Sequence, residues 1–411
     1  MMTITSSPGP AIASAVPDDA FRDLNGIKVA LFTGNYNYIK EGANQALNKL
    51  VHHLEQRVGA TVRVYSPVTD TPAFPPEGTL VPVRSVALPG RPEFRLALGL
   101  PKSARQDIRS FAPDIVHVAT PDWLCTRAQG FAKTLGVPVV ASLHTSFETY
   151  CDYYGLGALR PLVERHLDRF YGRSDMILVP TPAIANAMRP SHDADKLRIW
   201  GRGVDADLFD PARRSIAWRQ AHGLRPDEIA LAFFGRLVLE KGTVRFAEIV
   251  DALRQKNLPV RPVLIGEGPA RGQLHEALPD AIFTGHLAGV DLATAVASSD
   301  ILINPSLTET FGNVTLEAMA AGLAVVAADV ASSTNLISDG RDGMISANDA
   351  ASFAGHVVRL VTDDDLRGKL GCAARETALK WRWNHILDTV LESYAITLAR
   401  RRPDAASIGT A

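Results

Sequence analysis

Pro305-Ser-Leu-Thr-Glu-Thr-Phe-Gly-Asn-Val-Thr-Leu-Glu-Ala-Met-Ala-Ala-Gly322 is the stretch that decides the reading of this 411-residue chain. It follows a short apolar run, Asp300 to Asn304, which reads as a buried strand. A helical pattern starts near Asn313, with Val314, Leu316, Ala318 and Met319 facing inward. Glu309 falls in the loop and Glu317 one to two turns into the helix, with Thr310, Phe311 and Gly312 between them. A strand, a glycine-containing turn and a helix start form a layout that aims backbone N–H groups at a phosphate. The same residues also suit an ordinary turn with two solvated glutamates, and one motif does not separate the two readings.

The stretch sits in a half that repeats one grammar. Ile229 to Phe234 is an apolar strand that ends in Gly235-Arg-Leu-Val-Leu-Glu-Lys-Gly242, and a helix follows through Val244, Phe246, Ile249, Val250 and Leu253. Arg236 and Lys241 therefore lie in a glycine-flanked loop at a strand's carboxyl end. Two fixed cations there suit a diphosphate, whose charge they neutralise without a metal. Arg261 to Ile265 is a strand ending in Gly266-Glu-Gly-Pro269, and Ala281 to Thr284 another ending in Gly285-His286. Leu323 to Ala328 is a strand, Asp339 to Met344 a turn, and three helical patterns close the chain, the last over Asn384 to Arg400.

The first half uses the same units. Ile27 to Thr33 is a buried strand that runs into the loop Gly34 to Gly42 and then a helix through Ala46, Leu47, Leu50, Val51 and Leu54. Gly34 lets the backbone approach a ligand, although the spacing is not that of a dinucleotide fingerprint. Strands follow at Thr61 to Tyr65, Asp114 to Ala119, Val137 to Leu143, Met176 to Pro180 and Lys196 to Trp200, with a proline-rich loop and short strands over 67–93. His144 stands at the carboxyl end of its strand, the edge where open α/β sheets hold their ligands. Leu159 to Arg173 is an amphipathic helix with Arg160, Arg165, Arg169 and Arg173 on its polar side. It suits core packing or a membrane surface. Asp205-Ala-Asp207 has the form of a metal-binding DxD, a pattern common by chance.

The domain layout expected is a flexible tail over 1–26, a Rossmann-like domain over 27–203, a hinge over 204–215, a second Rossmann-like domain over 216–383, a C-terminal helix over 384–400 and a tail over 401–411. The chain is 46% hydrophobic and 21% charged, as for a globular protein with large cores. A net charge of −1 argues against nucleic acid held by overall charge. Basic residues outnumber acidic ones between Lys28 and Arg189, so that half can face an anionic surface or substrate. The three cysteines, Cys125, Cys151 and Cys372, have neither disulfide-framework nor zinc spacing and fit a reducing cytosol. No run is apolar enough to span a bilayer.

Taken together and in order, these motifs resemble the family 4 retaining glycosyltransferases of the GT-B fold. They are Gly203-Val-Asp205, Gly235-Arg-Leu with Glu240-Lys-Gly, Gly266-Glu-Gly-Pro, Gly285-His, Asn304-Pro-Ser, Glu309-Thr-Phe-Gly with Glu317-Ala-Met-Ala-Ala-Gly, and the Gly34 loop with His144-Thr. They cover residues 27 to 395. The segment Ser142 to Gly155 is similar to a branch containing GDP-mannose-dependent α-mannosyltransferases and enzymes that glycosylate membrane lipids.

The resemblance implies an α/β protein with two doubly wound domains facing across a cleft and a C-terminal helix crossing back to the N-terminal domain. It implies that Arg236 and Lys241 hold the donor diphosphate, that Glu309 contacts the transferred sugar and that His144 hydrogen-bonds that sugar near the reacting centre. Glu317 would grip the ribose. Amides of Gly312, Asn313 and Val314, beside Phe311, would face the phosphate or sugar. Gly34 and Asn35 would approach the diphosphate, with Gly235. The loops at Gly266, Gly268, Gly285 and His286 would hold the base. The implied co-substrate is GDP-mannose or a UDP-sugar, with no catalytic metal and no other cofactor. The implied acceptor is a lipid or glycan. The cysteine usage points to a cytoplasmic location, and the basic N-terminal half with its Arg160 to Arg173 helix to peripheral placement on the inner face of the cell membrane. The competing readings are a glucuronosyl- or glucosyltransferase using a UDP-sugar on a lipid acceptor, a catalytically silent nucleotide-sugar-binding protein, and another GT-B enzyme such as an epimerase or phosphorylase.

Overall fold

The computed structural model describes residues 18–39, 42–88, 91–144, 160–309 and 311–401. Thr310, Cys151 and the segment Thr145 to Gly155 lie outside the described residues. The chain divides into two units. One comprises, among the described residues, Asp18 to Gly201 with Asn384 to Arg401; the other is Arg202–Trp383.

The strands of the N-terminal unit are β1 (Lys28–Phe32), β2 (Thr61–Ser66), β3 (Thr79–Pro82), β4 (Ser85–Leu88), β5 (Arg91–Ala97), β6 (Ile115–Val118), β7 (Val139–Ser142), β8 (Met176–Val179) and β9 (Leu197–Ile199). Seven of them form one parallel sheet in the order β3-β2-β1-β6-β7-β8-β9, while β4 and β5 pair antiparallel in a separate hairpin. Val29 to Phe32 are all buried, as a strand covered by helices on both faces requires. From Asn384 onward the helix Trp383–Arg401 packs on this unit. Asp388 meets His53 Nε2 at 2.7 Å, and Thr389 Oγ1 donates to the Ile199 carbonyl at 3.3 Å.

The other unit holds β10 (Ile229–Phe234), β11 (Val260–Ile265), β12 (Ile282–Gly285), β13 (Ile301–Asn304), β14 (Ala324–Ala328) and β15 (Met344–Ser346). Their order is β12-β11-β10-β13-β14-β15, all parallel, which is the doubly wound arrangement in which strand order reverses once. The reversal falls between β10 and β13. The helix Thr243–Arg254 covers one face with Phe246, Ile249, Val250 and Leu253 fully buried, each stabilising the fold by about 1.5–3 kcal/mol.

Some elements differ from the sequence reading. Met344 was expected to end a turn, but Met344–Ser346 pairs with β14 as an edge strand, too short to show a periodicity. The polar helix Lys102–Phe111 buries only Ala104, Ile108 and Phe111, so its sequence carries little apolar signal. The tail expected over 1–26 does not reach 26: Asp18–Leu24 forms helical turns, and Phe21 and Leu24 are buried. Residues 204–215, where the hinge is expected, pack on the C-terminal unit. The Arg375 guanidinium binds the carbonyls of Ala206 and Phe209 and the Asp210 carboxylate.

Candidate active site

Strand order makes neighbours of two loops far apart in sequence. Because β10 and β13 pair, the Gly235–Gly242 loop and the loop from Pro305 leave the same edge of the sheet on either side of the switch point. Thr308 Oγ1 donates to the Glu240 carbonyl at 3.0 Å and ties them together. Asn304, the last residue of β13, fastens the second loop: its amide donates to Thr315 Oγ1 at 2.9 Å and its oxygen accepts from the Ser306 N–H.

A cavity of about 210 Å³ opens between these loops. Gly235, Arg236, Lys241, Glu309, Asn313 and Val314 line it, over a floor of Phe233, Phe234, Ile303 and Asn304. Val314, expected to face the core, is half-buried and faces the cavity, while Leu316, Ala318 and Met319 are buried. Lys241 Nζ lies 2.7 Å from Glu309 Oε1, so the two residues assigned separate ligands form one half-buried ion pair. Arg236 is exposed beside them. Gly312 is the N-cap of the helix Asn313–Ala320, and among the described residues no side chain caps it. Its first N–H groups and the positive end of its dipole thus meet the cavity wall at Asn313 and Val314. One apolar-lined space therefore combines two cations, a carboxylate and a bare helix N-terminus, a set suited to an oxyanion bearing a hydroxylated group.

Glu317, one turn further along the helix, is half-buried, and burial pushes its carboxyl up to about 8. The Phe311 ring is buried with its edge against Trp381, at 5.5 Å between centroids. Gly266 and Gly268 explain themselves by close packing. A Cβ on Gly266 would stand 1.9 Å from the Gly235 carbonyl oxygen, and one on Gly268 2.3 Å from that of Leu237. The β11 loop thereby buttresses the β10 loop, which donates from the Leu237 N–H to the Glu267 carbonyl. Gly285 and His286 stand at the end of β12, two strands from β10, and His286 is exposed.

In the N-terminal unit the Gly34 loop lies at the corresponding reversal, between β1 and β6. Its N–H donates to Thr120 Oγ1 at 2.9 Å, and a Cβ on Gly34 would meet the Asp122 carboxylate at 2.6 Å. Asn35 beside it is buried. Asp122 also caps the helix Trp123–Leu135 by accepting from the Cys125 N–H, and burial holds its carboxyl above the usual range. His144 is half-buried at the end of β7, with Nε2 at 2.9 Å from Ser142 Oγ and its ring edge-on to Trp200. Sequence reasoning gave no site role to Thr308, Asp122 or Ser142, and it named Asn304 only within the Asn304-Pro-Ser motif. The available signal was a polar residue closing or following an otherwise apolar strand.

Asp205 and Asp207 are committed to structure: Asp205 caps the Leu208 N–H, and Asp207 pairs with Arg382 at 3.1 Å. Among the described residues no three His, Cys, Asp or Glu side chains are grouped so as to hold a metal ion. Among the same residues no helix is long and apolar enough to cross a membrane.

Known proteins are similar to this chain in both of its units. Residues 41–208 match the profile of Glycosyltransferase Family 4, and residues 228–363 that of Glycosyl transferases group 1. A GDP-mannose-dependent alpha-mannosyltransferase of Mycolicibacterium smegmatis is 32% identical over 390 residues, which are 92% of this chain and 100% of that protein. The sulfoquinovosyl transferase SQD2 of Arabidopsis thaliana is 33% identical over 73% of this chain and 60% of its own length. The structure of HepE from Anabaena in complex with UDP superposes with a TM-score of 0.71 at 17% identity, covering 90% of this chain and 100% of that one. The chain belongs to the family 4 glycosyltransferases of the GT-B fold and is a transferase enzyme.

Proposed function

We propose that this enzyme is a retaining hexosyltransferase that moves mannose from GDP-mannose to a lipid or glycan acceptor. The observation that carries the reading is the single cavity where Arg236, Lys241, Glu309 and the uncapped start of Asn313–Ala320 converge. Breaking a sugar–phosphate bond builds positive charge on the anomeric carbon and negative charge on the departing diphosphate. Fixed cations and helix N–H groups favour that state over the ground state. On donor binding Lys241 exchanges Glu309 for diphosphate oxygens, and the released carboxylate accepts from a sugar hydroxyl. The leaving phosphate oxygen takes the acceptor's proton on the same face, so configuration is kept without a separate base. Glu317 accepts from the ribose hydroxyls. Arg236 and Lys241 stand in for a metal, and turnover survives a chelator in this mechanism.

Mannose is favoured because relatives aligned over nearly the whole chain are named for GDP-mannose. The alternative donor is a UDP-sugar, since HepE, of the same fold, holds UDP. A panel of GDP-, UDP- and ADP-sugars with lipid and glycan acceptors separates these readings through release of nucleoside diphosphate. Release from GDP-mannose, lost in Lys241→Ala, supports the proposal. Micromolar donor binding without turnover on any acceptor would instead indicate a silent binding protein.

A lipid acceptor fits the exposed helix Arg160–Gly172. Its Leu162 is 67% exposed, among the exposed Arg160, Arg165 and Arg169. Peripheral attachment at the inner face of a cell membrane follows if that helix meets anionic lipid. Sedimentation with anionic against neutral vesicles tests it, and equal, negligible recovery from both removes the membrane from the proposal.

A further inference from the structure

Four side chains of the N-terminal unit form one unbroken hydrogen-bonded line. Tyr394 OH lies 2.6 Å from His117 Nδ1, His117 Nε2 lies 2.9 Å from Ser142 Oγ, and Ser142 Oγ lies 2.9 Å from His144 Nε2. The fold explains how they meet. His117 pairs with Val140 across β6 and β7, so His117 and Ser142 stand on the same face of the sheet. The helix Trp383–Arg401 brings Tyr394 to that face. Trp200 packs edge-on to both imidazoles, at 5.9 Å from His117 and 4.8 Å from His144. Tyr394, His117 and Ser142 are completely buried. Burying such groups in an apolar strand layer is costly unless each proton has an acceptor.

That requirement fixes the direction of the line. Burial pulls His117 down to about 3, so it is neutral near pH 7 and has one N–H and one lone pair. Burial also keeps the Tyr394 phenol protonated. Among the described residues the hydrogen-bond partner of that phenol is His117 Nδ1. The phenol therefore donates to Nδ1. His117 then carries its proton on Nε2 and donates to Ser142 Oγ, which leaves the serine proton to point at His144 Nε2. The reverse direction strands the phenol proton in the core without an acceptor.

The geometry points to Tyr394, His117 and Ser142 as positioning residues that hold His144 in the tautomer with its proton on Nδ1. In that tautomer His144 has no lone pair left to act as a base, because Nε2 accepts the serine proton and Nδ1 carries the hydrogen. Under the transfer reading it therefore takes no proton from the acceptor. This role deepens the transfer reading above and rests on it, whereas the tautomer itself does not. The line also gives the C-terminal helix a task beyond packing, because its Tyr394 supplies the proton that orients the other three groups.

The test is long-range proton–nitrogen correlation NMR on the full chain with labelled histidine, with His144 assigned by its loss in His144→Gln. Wild type is expected to show a pyrrole-like Nδ1 and a pyridine-like Nε2 at His144. Tyr394→Phe and Ser142→Ala are expected to move His144 to a mixture of tautomers or to the other one, and Ser142→Thr to restore the wild-type pattern. Tyr394→Phe is also expected to lower kcat roughly 10-fold while the donor KM changes little. A wild-type His144 with its proton on Nε2 overturns the proposal, as does a Tyr394→Phe enzyme with unchanged tautomer and kinetics. A melting temperature close to wild type in Tyr394→Phe shows that the fold is intact. If no donor is turned over by wild type, the transfer reading fails while the NMR result still decides the tautomer.

Discussion

Lys241 and Glu309 show how a residue's role depends on the partner the fold supplies. In the free protein each neutralises the other at 2.7 Å. Under the proposed mechanism Lys241→Ala removes a charge aimed at the leaving diphosphate and is expected to lower kcat by about 10²–10³-fold. Steady-state kinetics with saturating donor checks this, and a change confined to KM would place Lys241 in ground-state binding only. Glu317 makes a pH-dependent prediction. Burial raises its carboxyl from an ordinary 4.5 to about 8, so the folded state keeps the proton across that window. Stability is then greatest below the lower value, falls as pH rises and levels off above the upper one. Glu317→Gln is neutral throughout, so its melting temperature relative to wild type is expected to climb between about pH 5 and pH 8. If the ribose is held by the carboxylate, donor binding at neutral pH also releases a proton, measurable by calorimetry in buffers of different ionisation enthalpy.

At the scale of elements, each unit is fastened by a few specific contacts. Gly268 has φ +158, and a side chain there would press on the Leu237 carbonyl, so Gly268→Ala is expected to cost about 1–3 kcal/mol and to loosen the loop bearing Arg236. The C-terminal helix is held by buried Asp388, which meets His53 at 2.7 Å and Arg57 at 3.6 Å. Asp388→Ala removes the acceptor that His53 and Arg57 share, and chemical denaturation is expected to show a loss of about 1–3 kcal/mol. The element reading from sequence was accurate where apolar runs were continuous. Ile229–Phe234 matched to the residue, and the helix after Gly312 began at Asn313 as expected. It failed for Met344–Ser346 and Lys102–Phe111, whose signals are too short or too polar.

At the scale of the whole molecule, the two sheets reverse strand order at β1/β6 and β10/β13, and the glycine loops singled out in each half follow β1 and β10. A nucleoside diphosphate that binds only the folded protein stabilises it by about 2.7 kcal/mol at a hundred times its Kd. Thermal melting with GDP and UDP is therefore expected to rank the two bases directly. No shift with either would remove the nucleotide-sugar reading of the cavity.

The sequence by itself determined the fold class and most of the candidate site. Buried strands, glycine turns and helix starts are local signals that picked out Arg236 and Lys241, whereas Glu309, Asn313 and Val314 were named as site residues through the family resemblance. Tertiary structure alone decided which of these groups touch. The pairing of Lys241 with Glu309 follows from β10 lying beside β13. The line from Tyr394 through His117 and Ser142 to His144 follows from β6 lying beside β7 under the last helix. The physical reason is that a parallel sheet joins strands through crossovers, so its side-chain neighbours come from remote segments that no local periodicity records.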